Sequence, residues 1–206
     1  SGSARDHLAA GRAFLKNEQL NEAIGELSTA VSLDPKLAEA HSLLAVAFDK
    51  KGLHDRAKES YEKAVKAEPE DAQALNNLGF SLYQNGNYRA AVDRLKRAVK
   101  LAPKDDRILN NLALALCRLG KFEDAYKNFA RAGGEVTGRI NTATMLERLG
   151  RDDEAIKYYE AARRIDPNNA IAAHRLTDLY QRTGRIAQLS GNPITVESTE
   201  AAIARR

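Results

Sequence analysis

Residues 72–105 read AQALNNLGFSLYQNGNYRAAVDRLKRAVKLAPKD, and the spacing of the apolar side chains in this stretch decides the fold. Leu75, Leu78, Gly79 and Leu82 recur at helical intervals, Gly86 interrupts the pattern, and Ala91, Leu95 and Ala98 open a second stripe of the same period. Pro103 closes the unit, and Asp105 stands where the N-cap of a following helix belongs. The same marks return along the chain. Gly52, Gly86 and Gly120 are 34 residues apart, as are Ala57, Ala91 and Ala125, and Pro35, Pro69 and Pro103. A helical pair of this length cannot bury its apolar stripe alone, so successive copies must stack. The expected fold class is all-α: a right-handed α-solenoid of about five helix-turn-helix repeats plus a C-terminal capping helix. Such a stack offers a long concave face, which suits binding better than catalysis.

In that register the repeats fall at 4–37, 38–71, 72–105, a shortened 106–135, and 136–169, followed by a capping half-repeat at 170–189 and a C-terminal tail at 190–206. Ser1-Gly2-Ser3 lacks an initiator Met and reads like a cloning scar. Asp71, Asp105 and Asn169 are expected as N-caps. The fourth unit is short, since Gly120 to Gly150 and Ala125 to Ala155 each span 30 residues. A loss of four residues is close to one turn of about 3.6 residues, so the second helix can drop its last turn with the stripe in register. Gly133 is the expected left-handed stop. The deletion reads either as a neutral loop change or as a change of pitch that widens the groove near Asn141 and Thr144.

Leu78-Gly79-x-x-Leu82, Ala91-x-x-x-Leu95 and Pro103 in the third unit resemble the tetratricopeptide repeat, as do Gly11, Phe14, Ala23, Leu27, Ala30 and Pro35 in the first. The resemblance covers about nine-tenths of the chain. It departs at position 4, where His7, His41, Leu75 and Leu109 replace the family's aromatic residue. The short unit with Gly133-Gly134 is similar to tetratricopeptide lipoproteins of bacterial Flp/Tad pilus assembly. That similarity implies a role in envelope or pilus assembly, with a periplasmic or membrane-anchored location if a leader was removed and a cytoplasmic one otherwise.

Composition narrows the function classes. Thirty-two basic against 28 acidic residues, interspersed, give a net charge of only +4, so nucleic acid is not an expected partner. No apolar run approaches the roughly 20 residues that span a bilayer. The single cysteine, Cys117, rules out an intramolecular disulfide, and no Cys/His spacing suits a metal. His7 and His41 read as inter-repeat packing, and Cys117 as an ordinary buried thiol. Glu147 and Asp178 have no acid-base partner in the pattern, so neither an enzyme nor a cofactor is expected.

Function then falls to the wall formed by the first helix of each unit. Its expected peptide-binding residues are Asn76, Asn77, Phe80 and Tyr83, then Arg107, Asn110, Asn111 and Leu114, then Asn141 and Thr144, and finally His174 and Arg175. Asn77, Asn111 and Asn141 share one repeat position. A carboxamide both donates and accepts, so this ladder would hold the backbone of an extended ligand regardless of its sequence. Equally, those amides would bond within the array. Lys16, Lys50, Arg118, Arg148 and Arg182 sit near helix C-termini, where the macrodipole favours a cation. The expected activity is that of a non-catalytic protein-protein interaction adaptor taking an extended or helical segment of a protein partner. The alternative is a structural scaffold that self-associates through residues 190–206.

Overall fold

The structure is a computed structural model that describes residues 2–185. Eleven helices, all of 12 to 14 residues, make up the described chain: α1 (Ala4–Lys16), α2 (Leu20–Leu33), α3 (Ala38–Lys50), α4 (His54–Ala67), α5 (Ala72–Gln84), α6 (Tyr88–Leu101), α7 (Asp106–Arg118), α8 (Phe122–Gly133), α9 (Glu135–Arg148), α10 (Asp152–Ile165) and α11 (Ala170–Arg182). None of them is long and apolar enough to cross a membrane. The fold is the all-α helical-pair stack expected of the repeat. The tail at 190–206, and any self-association through it, lies outside the described residues. The chain forms two compact units, the first ending at Ala115 and the second beginning at Leu116, within α7.

In the first unit α1 packs on α2, α3 on α4 and α5 on α6, while α2 meets α3 and α4 meets α5. Each pair closes on a small residue of its first helix. A Cβ added to Gly11 would lie 2.5 Å from Leu27 Cγ, and one added to Gly79 would lie 2.5 Å from Leu95 Cγ. The leucine therefore fills the space that a larger side chain would need. Neighbouring pairs share a core in which Leu75, Ala98 and Ile108 are buried, with Val65, Ala72, Val99 and Ala102 against them. This joins α4, α5, α6 and the start of α7. The caps follow the reading: Asp71 accepts from the Gln73 and Ala74 amides, Asp105 from those of Arg107 and Ile108, and Asn169 from that of Ala172. Ser3, read as part of a scar, caps α1 in a reciprocal box with Asp6.

In the second unit α9 packs against both α8 and α10, and α10 against α11. Helix α8 has 12 residues where α6 and α10 have 14, so it gives up two residues and not the whole turn expected; the rest of the shortening falls on the link to α9, which is Gly134 alone where residues 102–105 join α6 to α7. The stop is a correction. Gly133 remains in the helix, and Gly134 takes the positive φ (φ 86°, ψ 168°) as the link to α9. That extended conformation with positive φ is essentially confined to glycine, and it lets α9 begin at once at Glu135. The tight return brings the helices together at Gly138, where a Cβ would meet the Ala130 backbone at 2.8 Å.

The turn between the two helices of a repeat carries a left-handed glycine at Gly52, Gly86, Gly120 and Gly150, and Gly184 takes the same conformation after α11. In the first repeat that place is held by Glu18, at φ 58°. A side chain in this region costs about 1 kcal/mol, which the exposed pair between Lys50 Nζ and Glu18 Oε1 (2.6 Å) offsets only in part. Glu18→Gly is expected to raise stability by about 0.5–1 kcal/mol in urea unfolding. A loss of stability would show that the ion pair outweighs the backbone strain.

Candidate functional site

On the first-helix wall of the first unit, side chains of α5 and α7 meet through Gln73. Its Nε2 donates to Asn77 Oδ1 at 2.8 Å, and its Oε1 accepts from Arg107 Nη2 at 2.9 Å. Both ends of the carboxamide are thereby fixed. Arg107 also reaches Asp105 Oδ2 at 3.2 Å, and it is the main reason the Asp105 carboxyl is held below its ordinary range. Beside this chain Asn111 Nδ2 donates to Asn76 Oδ1 at 2.9 Å. Two cross-repeat links thus tie α5 to α7.

These links correct the reading of Asn76. Expected on the open wall, it is only 6% exposed and spends its carbonyl oxygen on Asn111. A residue so enclosed presents almost no surface to a ligand. Asn77 and Asn111 are half-buried, each with one side-chain atom engaged by a neighbour. Asn77 keeps its Nδ2 hydrogens, and Asn111 keeps its Oδ1, for further bonds. Asn110 and Leu114 are half-buried on α7.

The aromatic part of the wall is partly open, with Phe80 exposed and Tyr83 and Tyr88 half-buried. Phe80 is 37% exposed, and its ring lies 6.2 Å from that of Tyr83 in a near-parallel stack of 21°. Tyr83 in turn meets Tyr88, at the start of α6, with centroids 5.7 Å apart. Behind this row Asp49, on α3, gathers side chains from two other helices, α4 and α5. Its carboxylate lies 3.5 Å from the Ser81 hydroxyl and 3.2 Å from His54 Nδ1, and it holds the Tyr61 hydroxyl. Burial, with Asp49 beside it, pushes the Tyr61 hydroxyl well above its ordinary range. Neither Asp49 nor Gln73 was singled out from the sequence. Their 34-residue offsets, Asp49 to Tyr83 and Gln73 to Arg107, were the signal available.

The corresponding wall of the second unit is built from α9 and α11 around Glu147, whose side chain is 14% exposed. Tyr159 on α10 donates to Glu147 Oε2 at 3.2 Å and lies 3.0 Å from Thr144 Oγ1, which itself donates to the Ile140 carbonyl. Arg175 and Arg182 lie 3.7 and 3.6 Å from Glu147 Oε1, and Arg182 also forks onto Asp152 at 2.8 and 2.9 Å. Burial is the main cause that pushes the Tyr159 hydroxyl to about 12, so it remains a donor at neutral pH. Arg175, expected among the peptide-binding residues, already faces Glu147. His174 is exposed, 3.5 Å from Asp178, and Asn141 is half-buried.

The basic residues at helix ends stand in the last turns of α1, α3, α7, α9 and α11, as expected. His7 is engaged by Glu26 at 2.6 Å and His41 by the Pro35 carbonyl at 3.0 Å, so the two histidines have separate partners. Among the described residues no group of three or more His, Cys, Asp or Glu could hold a metal. Cys117 is 1% exposed, and burial alone raises its thiol to about 12. An ordinary thiol, near 8.5, is partly ionised at pH 8. Cys117 should therefore resist Ellman's reagent at pH 8 in the folded protein and react with one equivalent after unfolding in guanidinium. Rapid stoichiometric reaction in the native state would contradict its enclosure.

Family models for the tetratricopeptide repeat match residues 11–52, 38–71, 60–93, 77–134 and 136–179. No curated protein sequence matches the chain. Among solved structures it is similar to YrrB, described as a TPR protein with an unusual peptide-binding site, at 22% identity over 82% of this chain and 89% of that one, with a TM-score of 0.65. It is similar to residues 41 to the end of MamA from Desulfovibrio magneticus, at 19% identity over 82% and 98%, with a TM-score of 0.67. It is also similar to PilF of Pseudomonas aeruginosa, at 26% identity over 95% and 91%, with a TM-score of 0.64.

Proposed function

Because this chain belongs to the tetratricopeptide repeat family, we propose that it is a non-catalytic adaptor that takes a segment of a partner protein on the first-helix wall of its first unit. The observation that carries this reading is the row of the exposed Phe80 and the half-buried Tyr83 and Tyr88 beside amides already set in place by their neighbours. Aromatic side chains on a rigid helix give large contact area at small entropic cost, which makes them the usual anchors of an interface.

Asn77 and Asn111 serve the ligand backbone with the donor and acceptor that remain to them. Two or three hydrogen bonds contribute about 1 kcal/mol each, whereas a micromolar complex needs about 8 kcal/mol. Burial against Phe80, Tyr83 and Leu114 must therefore supply most of the affinity. The amides govern register, and the rings govern strength. The likeness to the pilus-related PilF over nearly the whole chain supports a partner among components of bacterial pilus or envelope assembly.

A random dodecamer display library selected against the full chain provides the test. Selected peptides should bind the Phe80→Ala/Tyr83→Ala variant at least about tenfold more weakly, with the helical circular dichroism unchanged. Unchanged affinity for that variant would refute the aromatic anchor.

A further inference from the structure

Helix α6 holds the charge imbalance of the whole chain. It has five cations, Arg89, Arg94, Lys96, Arg97 and Lys100, against one acid, Asp93. That surplus of four equals the net charge of all 206 residues, +4, so the remainder is balanced. The other second helices differ: α2 has two acids and no cation, α4 four cations and three acids, α8 two of each, and α10 three cations and four acids. Ala91, Val92, Leu95 and Ala98 are the buried residues of α6. The stripe of Arg89, Lys96 and Lys100, seven and then four residues apart, therefore turns away from α5 and its wall. On the flank of that stripe Arg94 and Arg97 join Lys66 of α4 around a groove of about 290 Å³, where Glu62 is the one acid in the lining.

The fold gains little from these charges. Arg89 stands in the first turn of α6, the end where the macrodipole disfavours a cation, and Lys96 and Lys100 are like charges one turn apart. Only Lys100, in the last turn, suits the macrodipole. Arg89, Lys96 and Lys100 are exposed and form no ion pair among the described residues, and Arg97 reaches the Pro69 carbonyl at 3.3 Å.

We infer that this outer face of α6, with Lys66 beside it, docks on the surface of an anionic lipid bilayer. Charge complementarity calls for an anionic partner, and two features favour lipid over an acidic protein segment. The stripe spreads its charge along about 17 Å of exposed helix. Lipid headgroups move sideways and gather under any such arrangement, whereas an acidic segment must match it in register. Leu101, 44% exposed, stands between the exposed Lys100 and Lys104, and an apolar side chain among cations suits the headgroup boundary. The contact is with the surface only, since no described helix is long and apolar enough to cross the bilayer. It leaves the wall of α5, on the other side of the pair, open to a partner.

Flotation of the full chain across a range of lipid concentration tests this, with vesicles of equal parts phosphatidylglycerol and phosphatidylcholine, or of phosphatidylcholine alone, at low salt. The chain should float with the first and not with the second, and added salt should release it. Each cation near an anionic surface strengthens binding about fivefold, so Arg89→Gln/Lys96→Gln/Lys100→Gln should bind about a hundredfold more weakly, with helical circular dichroism unchanged. Asp93→Asn, which removes the one acid in the stripe, should bind about fivefold more tightly. Lys36→Gln/Lys157→Gln/Arg164→Gln removes the same charge from exposed positions elsewhere and should weaken binding by less than about fivefold. No flotation with phosphatidylglycerol, equal weakening in both triple variants, or retention on immobilised polyglutamate but not on the vesicles would each overturn the assignment.

Discussion

Each helical pair depends on a close approach that only a very small side chain permits. At Gly11 and Gly79 the space where a Cβ would stand is taken by Leu27 and Leu95, and at Gly138 it is taken by Ala130. The first two contacts bring the second helix of a pair against the first, so that the apolar stripes of both face inward and the next pair can cover them, and the third seats α9 on the α8 that precedes it. Leu75, Ala98 and Ile108 form their core only because α5 and α6 are already held at that distance. The opposite face of the first helix is then left outward, with its side chains spaced by the helix and not by a loop.

That outward face is not a row of idle polar groups. Asn76, Asn77, Asn111, Gln73 and Arg107 bond to one another across the repeats, and Asp49 draws Ser81, His54 and Tyr61 together behind them. Such links contribute about 1 kcal/mol each at best, so they orient the wall more than they hold the fold together. Orientation is what an interface uses, since groups already fixed lose little entropy when a partner arrives. The aromatic row at Phe80, Tyr83 and Tyr88 is the part that packing leaves with surface to bury. In the second unit Glu147 gathers Tyr159, Arg175 and Arg182 in the same manner, and its charges are largely answered from within.

The helical pairs were legible because glycine, alanine and proline recur at a fixed period for backbone reasons that no neighbour can override. The caps at Asp71, Asp105 and Asn169 were legible for the same reason. Gly133 was misread by one place, because two adjacent glycines carry the same conformational licence and only the packing of α9 on α8 chooses between them. Asn76 was misread because repeat register tells which helix a residue rides on, not whether its amide turns to solvent or to the next repeat. Gln73 and Asp49 escaped notice because each acquires its role from partners on other helices. Glu18 breaks the glycine pattern at a turn, and its strain is visible only in φ.

The central claim is that a partner segment lies on the aromatic row of the first unit, against Phe80 and Tyr83. Intermolecular nuclear Overhauser effects between a bound peptide and the protein test it most directly. The expected result is a set of contacts from peptide side chains to the Phe80 and Tyr83 rings, with peptide amides near Asn77 and Asn111. Contacts confined to α4 and α6, with none to those rings, would contradict it.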